Sequence, residues 1–485
     1  MKYIFVLYLL VYNIAFSQDL SFNATCQSAY QDIFKFKFNA ASITLEKIKK
    51  DDAKNFFPYF VENYIDFFKL YISEDKTQYA IVEKNVTKRI EKLKTANKNT
   101  PYYLYTQAEI HLQWALCKLK FKEYLGAIFE IKKAYNLLNE NQKKYPNFKA
   151  NMKSLGFLHT VFGAVPDNYK VGAKILGLKG SINQGLEELQ TVIQDKNFEF
   201  RDEAVILYTF LQLHLNKDQQ KAWSTISNYY LETSDNILYV FVKANVAQHL
   251  GKNDDVIKII QSYQYQNDVY PIYFLDYMLG NAYLQKLDNN SIQYFQKYIN
   301  NFKGNSYIKE CYRKIAWYYV IQNKPDLYFK YIQLCKNQKE AITDEDKSAQ
   351  KEAERNILPD KTLLQARILF DGNYLQQALD KINLVTVKNL KGRNLAEYYY
   401  RKARICDKLK MVKEANDLYI LTINQCLNTD YYFGANACLQ LGRYSENNKK
   451  NSLAIQYYNK AIQKPKDEYE NSINAEAKAG LNRLQ

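Results

Sequence analysis

Residues 441–462 read LGRYSENNKKNSLAIQYYNKAI, and this one stretch sets the class of structure to expect. Gly442 is followed twelve positions later by a second small residue, Ala454, and four positions after that by an aromatic one, Tyr458. Ala454, Tyr458 and Ala461 fall on one face of a helix. Small residues let two antiparallel helices approach closely, and the aromatic ring fills the seam between them. The stretch therefore predicts a pair of packed helices joined by a turn.

The same spacing returns along most of the chain. The sets that contain it are Ala115 and Ala127; Gly280, Tyr283, Ile292 and Ile299; Ala366 and Ala378; Ala403, Ala415 and Tyr419; and, more loosely, Ala244, Val256 and Ile260. One helix pair cannot bury its apolar face alone, whereas stacked pairs share a continuous core. We therefore predict an all-α fold, an α-solenoid of helix–turn–helix repeats that resembles the tetratricopeptide repeat. Ala366, Ala403 and Gly442 lie 37 and 39 residues apart. That repeat has about 34 residues, so we expect longer turns between the helices.

The composition favours helices over a Rossmann-type or all-β protein, because the 485 residues include only 15 glycines and 8 prolines. The formal net charge of +16 suits acidic partners such as acidic proteins, anionic lipid headgroups, acidic glycans or nucleic acid. The lysines are scattered, however, and an AT-rich genome also produces abundant Lys, Asn, Ile and Tyr. The total charge therefore does not identify a partner.

The N-terminus predicts an export signal. Lys2 precedes an apolar run over 3–16, which ends in small residues at a spacing that a signal peptidase accepts. The run is too short to span a bilayer, which needs about 20 apolar residues. We expect removal of residues 1–17, a mature chain that starts at Gln18, and a location in the periplasm or on the periplasmic face of the outer membrane.

The pattern predicts several segments in sequence. We expect a signal peptide at 1–17, N-terminal helical repeats at 18–155, a glycine-rich helical break in the array at 156–195, further helical repeats at 196–340, a charged helix or linker at 341–360, and C-terminal tetratricopeptide-like repeats at 361–485.

A glycine cluster around LGLKGSINQGLEEL (176–189) raises the question of a phosphate-binding loop. A Walker loop needs G-x-x-x-x-G-K-[ST] after a strand, and a dinucleotide loop needs G-x-G-x-x-G after a strand. Neither spacing occurs here, so we expect no nucleotide. We interpret Gly156, Gly177, Gly180 and Gly185 as structural glycines at tight turns or close helix contacts.

The segment 156–189, GFLHTVFGAVPDNYKVGAKILGLKGSINQGLEEL, also resembles the tetratricopeptide repeat protein 39 family, which includes the fungal inclusion-body clearance proteins. The matching residues are Gly156, Pro166, Gly177, Leu178, Gly180, Ser181, Gly185 and Leu186. A second stretch, LLQARILFDGNYLQQAL (363–379), is similar to a later part of that family. The resemblance implies a helical-repeat scaffold rather than a catalyst. Those proteins work inside eukaryotic cells, whereas the signal here looks bacterial, so we expect an exported bacterial relative and do not carry over the clearance role.

The sequence shows no recognisable catalytic or metal-binding motif. None of the four histidines lies at a metal-ligand spacing, and no G-x-S-x-G occurs. We therefore expect no enzyme, no metal and no cofactor. The seven cysteines form no C-x-x-C pair, and a disulfide between Cys406 and Cys438, about one repeat apart, stays open.

Three successive repeats place an arginine just after the small packing residue. These arginines are Arg367, Arg404 and Arg443, and Tyr400 lies one turn before Arg404. In such solenoids the first helix of each pair lines the concave surface that binds extended partners. Because guanidinium groups bind carboxylates bidentately, we predict a partner-binding groove that suits an acidic peptide or a polyanion. The alternative is that each arginine pairs with a carboxylate of the adjacent helix and only joins the repeats.

Together these features favour an exported scaffold for protein–protein interactions. We expect a protein partner, with acidic character favoured by the arginines, and we expect neither nucleotide nor nucleic acid. Membrane association should be peripheral at most, and the oligomeric state stays open. Two alternatives also stay open: a carbohydrate-binding or carbohydrate-cleaving helical protein, and a binder of anionic membrane surfaces.

Overall fold

The computed structural model describes residues 19–165, 177–229 and 235–484. Within these ranges the chain forms 24 α-helices, a short 3-10 turn at Val387–Asn389 and an isolated bridge between Asp19 and Asn55. The predicted all-α fold class is therefore confirmed. The predicted signal peptide at 1–17 and Pro166 of the family-like segment lie outside the described residues.

The described residues divide into two compact units. Unit 1 contains the residues up to 246 together with 262–272, and unit 2 contains the others, so the predicted segment 196–340 is shared between both. The helices of unit 1 are α1 (Ala24–Phe34), α2 (Phe38–Asp51), α3 (Phe57–Ser73), α4 (Lys76–Lys94), α5 (Tyr102–Lys120), α6 (Tyr124–Lys144), α7 (Lys149–Gly163), α8 (Ile182–Gln194), α9 (Arg201–His214), α10 (Gln219–Tyr229) and most of α11 (Ile237–His249).

Unit 2 holds the remaining helices. They are α12 (Asn253–Gln261), α13 (Phe274–Gln285), α14 (Ser291–Asn301), α15 (Ile308–Ile321), α16 (Pro325–Asn337), α17 (Asp344–Arg355), α18 (Lys361–Asp371), α19 (Leu375–Asn383), α20 (Gly392–Lys408), α21 (Val412–Gln425), α22 (Tyr432–Asn447), α23 (Asn451–Gln463) and α24 (Glu470–Leu484).

Most helices pack against their neighbour in sequence. In unit 1, α1 packs on α2, α3 on α4, α5 on α6, α7 on α8, and α9 on α10. In unit 2 the pairs include α13 with α14, α15 with α16, α18 with α19, α20 with α21, and α22 with α23. First helices of successive pairs also touch, such as α18 with α20 and α20 with α22. This stacking of pairs is the solenoid arrangement that the repeated spacing predicts.

Six turns inside helix pairs share one geometry. Each is three residues long, and its middle residue has a positive φ, namely Phe36, Lys122, Asn323, Asn373, Lys410 and Lys449. The next N–H bonds to the carbonyl five positions earlier, as from Met411 to Cys406 and from Lys450 to Ser445, both at 2.9 Å. This Schellman pattern satisfies the last carbonyls of a helix. The expectation of longer turns is therefore wrong inside these pairs. The extra residues lie between pairs, as at 384–391, and in the 17-residue helix α20.

The packing at the C-terminal pairs depends on glycines around one tyrosine ring. Tyr458 of α23 is fully buried, with Ala454 and Ala461 on the same face of the helix. A Cβ added at Gly442 would lie 2.7 Å from ring atom Cδ1 of Tyr458, and one added at Gly480 of α24 would lie 2.5 Å from ring atom Cε2. The two glycines therefore bring α22 and α24 against opposite edges of the ring.

One predicted register is shifted. The sequence pattern places Ile292 and Ile299 opposite Gly280, but both isoleucines are only half-buried. Phe295 fills that place, since a Cβ at Gly280 would lie 2.8 Å from its ring. The aromatic ring occupies more of the seam than an isoleucine can, so α14 turns Phe295 and Tyr298 inward instead.

All seven cysteines are buried as free thiols, so no disulfide joins Cys406 to Cys438. In the described ranges, no helix is both long enough and apolar enough to cross a bilayer.

Gly442→Ala should lower the free energy of unfolding by about 2 kcal/mol, because the new methyl group meets a ring that Gly480 prevents from moving away. Gly126→Ala is the matched control. Its Cβ would meet only the flexible Lys118 side chain, at 3.1 Å, so a neutral effect or a gain of up to about 1 kcal/mol from helix propensity is expected. Urea unfolding of both variants measures this, and equal effects would contradict the packing argument.

Candidate functional site

The charged segment predicted at 341–360 forms helix α17, which is fixed to its neighbours at its first turn. Thr343 and Asp346 make a reciprocal capping box at its N-terminus. The Asp346 carboxylate also accepts hydrogen bonds from the backbone N–H groups of Tyr307, at 2.8 Å, and Glu310, at 3.1 Å. One buried carboxylate thus satisfies donors at the starts of both α17 and α15. The segment is a packed helix, and one of its faces is buried.

Five arginines lie on α17 or on helices near it in unit 2. This arginine cluster consists of Arg313, Arg355, Arg367, Arg393 and Arg401, which come from α15, α17, α18 and α20. Because buried arginines require partners, the acidic and aromatic groups between them decide which guanidinium groups remain available to a ligand.

Glu468, in the turn before α24, binds two members of the arginine cluster. Its carboxylate accepts hydrogen bonds from Arg355 at 2.7 Å, Arg393 at 3.3 Å and the Ser348 hydroxyl at 3.0 Å. Burial raises the pKa of Glu468, but the nearby Arg355, Arg367 and Arg393 outweigh burial and hold that pKa below its ordinary value. Glu468 is therefore ionised at neutral pH, and it occupies Arg355 and Arg393 together with Asp467, which pairs with both arginines.

Three cations lie over the buried Trp317 ring. The charged groups of Arg313, Lys314 and Arg367 are 4.8, 4.6 and 4.5 Å from the ring centroid. The indole N–H donates to Glu352 at 2.6 Å, which fixes the orientation of the ring. A ring held in this way favours cations through its quadrupole and orders the guanidinium groups stacked on it.

Arg313 and Arg401 have firm partners of their own. Arg313 pairs with Glu310 and donates to the Ser348 hydroxyl at 2.8 Å. Arg401 donates to Glu397 and to the Tyr432 hydroxyl, each at 3.1 Å. These contacts use much of the hydrogen-bonding capacity of both arginines.

Arg367 differs from the other members of the cluster. In the part of the chain that the structure describes, it donates no hydrogen bond and its only ion pair is a long one with Asp371, at 4.0 Å, although Glu352 and Glu468 also attract it. Its positive charge repels Arg313 and Arg401, and 18% of its side chain stays exposed. A guanidinium group has five N–H donors in a planar fork, so Arg367 has the capacity to bind a carboxylate or phosphate.

The other predicted groove residues do not share this environment. Tyr400 is buried in the core of the C-terminal pairs, so the interpretation of its side chain as groove surface needs correction. Its hydroxyl accepts a hydrogen bond from Arg404 at 3.0 Å, which turns that arginine toward the core. Arg443 is exposed and pairs with Glu476 of the last helix. Of the four residues, only Arg367 lies in the arginine cluster.

Sequence reasoning missed Arg313, Arg393 and Arg401, together with Trp317 and Glu468. Their helices were foreseen, but the contacts join residues up to 120 positions apart, as between Ser348 and Glu468. The one available signal was the unusual density of charge in 341–360. A charged helix that follows a repeat array is often solvated, and only the fold shows that this one is packed.

Three of the four predicted structural glycines lie at close backbone contacts. A Cβ at Gly156 would lie 2.8 Å from the backbone oxygen of Gly185, and one at Gly185 would lie 2.3 Å from that of Gly156. A Cβ at Gly180 would lie 2.5 Å from Cα of His159. These three positions have no room for a side chain, although φ is not positive at any of them. Gly177 has open space around it but a φ of +76°, which favours glycine for conformational reasons.

Unit 1 contains a second buried charged group, in which every member has a partner. Lys153 Nζ lies 2.8 Å from Glu109 and 2.9 Å from Glu203. The hydroxyls of Tyr30 and Tyr64 also donate to Glu203, at 2.9 and 3.0 Å. Burial raises the pKa of Glu203 in spite of Lys153. This group joins α1, α3, α5, α7 and α9 and, unlike Arg367, leaves no strong donor unused.

Comparisons with known proteins concern the architecture. No protein-family model matches the sequence, and no curated protein matches it. The chain is similar in structure to a monomeric mutant of IFIT1 with m7Gppp-AAAA, at a TM-score of 0.31 and 13% identity over 87% of this chain and 91% of that one. It is also similar to the APC/C hetero-tetramer Cut9–Hcn1, at a TM-score of 0.22 and 14% identity over 96% and 100%. Such low TM-scores say nothing about what this chain binds.

The described residues contain no group of three or more His, Cys, Asp or Glu side chains that could hold a metal ion.

Glu468→Gln should lower the free energy of unfolding by about 2 kcal/mol at neutral pH, because it removes charge-assisted hydrogen bonds to two partly buried arginines, which then keep only their ion pairs with Asp467. Glu476→Gln is the matched control. It removes an exposed ion pair of the same unit and should cost no more than about 1 kcal/mol. Urea unfolding of both variants checks the difference.

The pH dependence gives a second measurement on the same variant. A carboxylate with a lowered folded-state pKa stabilises the protein above its unfolded-state pKa and loses that effect as the pH falls through the folded-state value. The stability difference between wild type and Glu468→Gln should therefore shrink as the pH falls below the ordinary glutamate pKa of 4.5. A difference that stays constant in this range would contradict the assigned direction.

Proposed function

We propose that this protein is an exported helical-repeat scaffold that binds an acidic segment of a partner protein at Arg367. The single observation that carries the proposal is the state of Arg367, an arginine stacked on Trp317 with no hydrogen-bonding partner among the described residues. The stacked helix pairs supply the rigid support that such a site needs.

A carboxylate fits this position because it would supply hydrogen-bond acceptors that Arg367 lacks. Glu352 and Asp371 attract Arg367 but accept no hydrogen bond from it, and Arg313 and Arg401 repel it. Stacking on Trp317 limits the rotation of the guanidinium plane, so less conformational entropy is lost when it binds a planar carboxylate. The two other predicted arginines, Arg404 and Arg443, have contacts with a tyrosine hydroxyl and with an exposed glutamate. They join the proposal as secondary contacts for an extended partner.

Arg367→Gln should weaken the binding of a fluorescein-labelled octaglutamate peptide by about tenfold, since one charge-assisted bidentate contact is worth roughly 1.5–3 kcal/mol. Arg483→Gln is the matched control, because Arg483 is exposed and already pairs with Glu446. Fluorescence anisotropy at low and at moderate salt measures both variants. Binding should fall with salt, because exposed charges are screened.

Peptide affinity and thermal midpoint, measured on the same variants, distinguish a ligand site from a purely structural role. Removing Arg367 should lower the thermal midpoint only modestly, because the arginine stacks on Trp317 and attracts Glu468 but donates no hydrogen bond in the described structure. Arg404→Gln and Arg443→Gln should weaken binding by smaller, additive amounts. Unchanged peptide affinity in Arg367→Gln, together with a lower thermal midpoint, would show that Arg367 only supports the fold.

Export is the second part of the proposal, and its support is the apolar run at 3–16 with its small terminal residues. The protein should be recovered from the periplasm, or from the periplasmic face of the outer membrane, without residues 1–17. N-terminal sequencing of the recovered chain should then begin at Gln18. An exported chain that retains Met1 would contradict the proposed cleavage.

We also propose a distant relation to the tetratricopeptide repeat protein 39 family, as an exported bacterial member. Its support is the glycine pattern of 156–189, in which Gly156 and Gly185 meet at a close helix contact. A relation of this kind agrees with a scaffold role and adds no catalytic step.

A further inference from the structure

Helix α6 begins with large apolar side chains that point into solvent. Leu125 is 76% exposed and Phe129 is 63% exposed, and Tyr124 and Ile128 beside them are exposed as well. We call these four residues the α6 patch. Contiguous exposed apolar residues are uncommon on proteins and mark surfaces that contact something else.

The repeat does not require apolar residues at these positions. Leu125 and Phe129 lie two residues before and two after Ala127, the small residue that packs against α5. The equivalent positions of three other pairs are also exposed, and all carry polar residues: Gln376 and Asp380, Lys413 and Asp417, and Ser452 and Gln456. Packing of the pair therefore explains Ala127 but not Leu125 or Phe129.

Lysines surround the α6 patch. Residues 118–133 contain five lysines and only two glutamates. Lys122 lies in the turn that leads into α6, and Lys132 follows on the helix. Neither forms an ion pair within the described ranges. Lys120, at the end of α5, lies 5.4 Å from the ring of the partly exposed Tyr71, and its charge is paired with Glu74 at 2.7 Å.

We propose that the α6 patch docks unit 1 on an anionic membrane surface. A helix that presents leucine and phenylalanine between lysines is suited to the boundary between headgroups and acyl chains, where the apolar tips insert and the lysines meet lipid phosphates. Tyrosine, here Tyr124, is enriched in proteins at the same depth of a membrane. Lys118, Lys120 and Lys133 are paired with glutamates, so the charges of Lys122 and Lys132 are the ones that complement anionic headgroups, and each lysine near such a surface adds attraction. The site is separate from the arginine cluster of unit 2.

Flotation of the full chain with vesicles tests the proposal. Wild-type protein should float with vesicles that contain phosphatidylglycerol and not with vesicles of phosphatidylcholine alone. The double variant Leu125→Gln, Phe129→Gln copies the polar residues of the equivalent positions, so its thermal midpoint should match that of wild type. Its partitioning onto anionic vesicles should fall about tenfold or more. Ile43→Gln is the matched control, because Ile43 is 73% exposed on α2 of the same unit, and it should bind like wild type.

A second pair of substitutions, Lys122→Gln and Lys132→Gln, tests the electrostatic part. Each should weaken flotation at low salt, with a smaller effect at high salt. Absence of wild-type flotation on anionic vesicles would overturn the proposal, as would equal flotation of the Leu125→Gln, Phe129→Gln variant. If that variant instead converts a dimer to a monomer in sedimentation without any change in vesicle binding, the α6 patch is a contact between copies of the chain and the membrane proposal is wrong.

Discussion

Small residues at the facing positions of paired helices set the distance at which this chain can pack, and the rest of each unit depends on that distance. Around Tyr458, Gly442 and Gly480 admit the edges of one ring, and a methyl group at either glycine would lie within 2.7 Å of it. An aromatic side chain buries a large area and still needs close neighbours, so glycine and tyrosine act here as a matched set. A single pair built in this way leaves its outer apolar face open, which is why pairs must stack.

The sequence predicts this part of the fold well, because the pattern is local. A helix period and a spacing of twelve residues are enough to place Ala378, Ala415 and Ala454 in the core, where all three are buried. The turns within helix pairs were harder to predict from the sequence. Glycine is the usual sign of a left-handed residue after a helix, but the turns here use lysine, asparagine and phenylalanine at that position. These turns therefore carry no recognisable sequence signal. The register at Gly280 was wrong for another reason, because the bulky ring of Phe295 was not considered as the partner of that glycine.

The arginine cluster could not be predicted, because it is a property of the fold rather than of any segment. Helix α17 reads as a charged connection, yet its Ser348 and Arg355 reach Glu468, more than 110 residues later in the chain. Helix periodicity places a residue on a face but does not say which distant loop covers that face. Three arginines were predicted as equivalent from their register alone. In the structure Arg367, Arg404 and Arg443 contact a tryptophan, a tyrosine hydroxyl and a surface glutamate respectively.

Groups that have partners within the fold belong to the scaffold, whereas groups that lack such partners are candidates for a binding site. Burial of a charge is unfavourable unless hydrogen bonds and counter-charges offset it. Lys153 and Glu468 meet this condition fully, so their contacts explain stability and need no ligand. Arg367 meets it only in part, because nearby acids raise its pKa but none accepts a hydrogen bond from it. Leu125 and Phe129 are an exception of another kind, since they expose apolar surface that the repeat could replace with polar residues at no cost to packing. Because each exception carries a different chemistry, a carboxylate suits the first and a lipid surface suits the second.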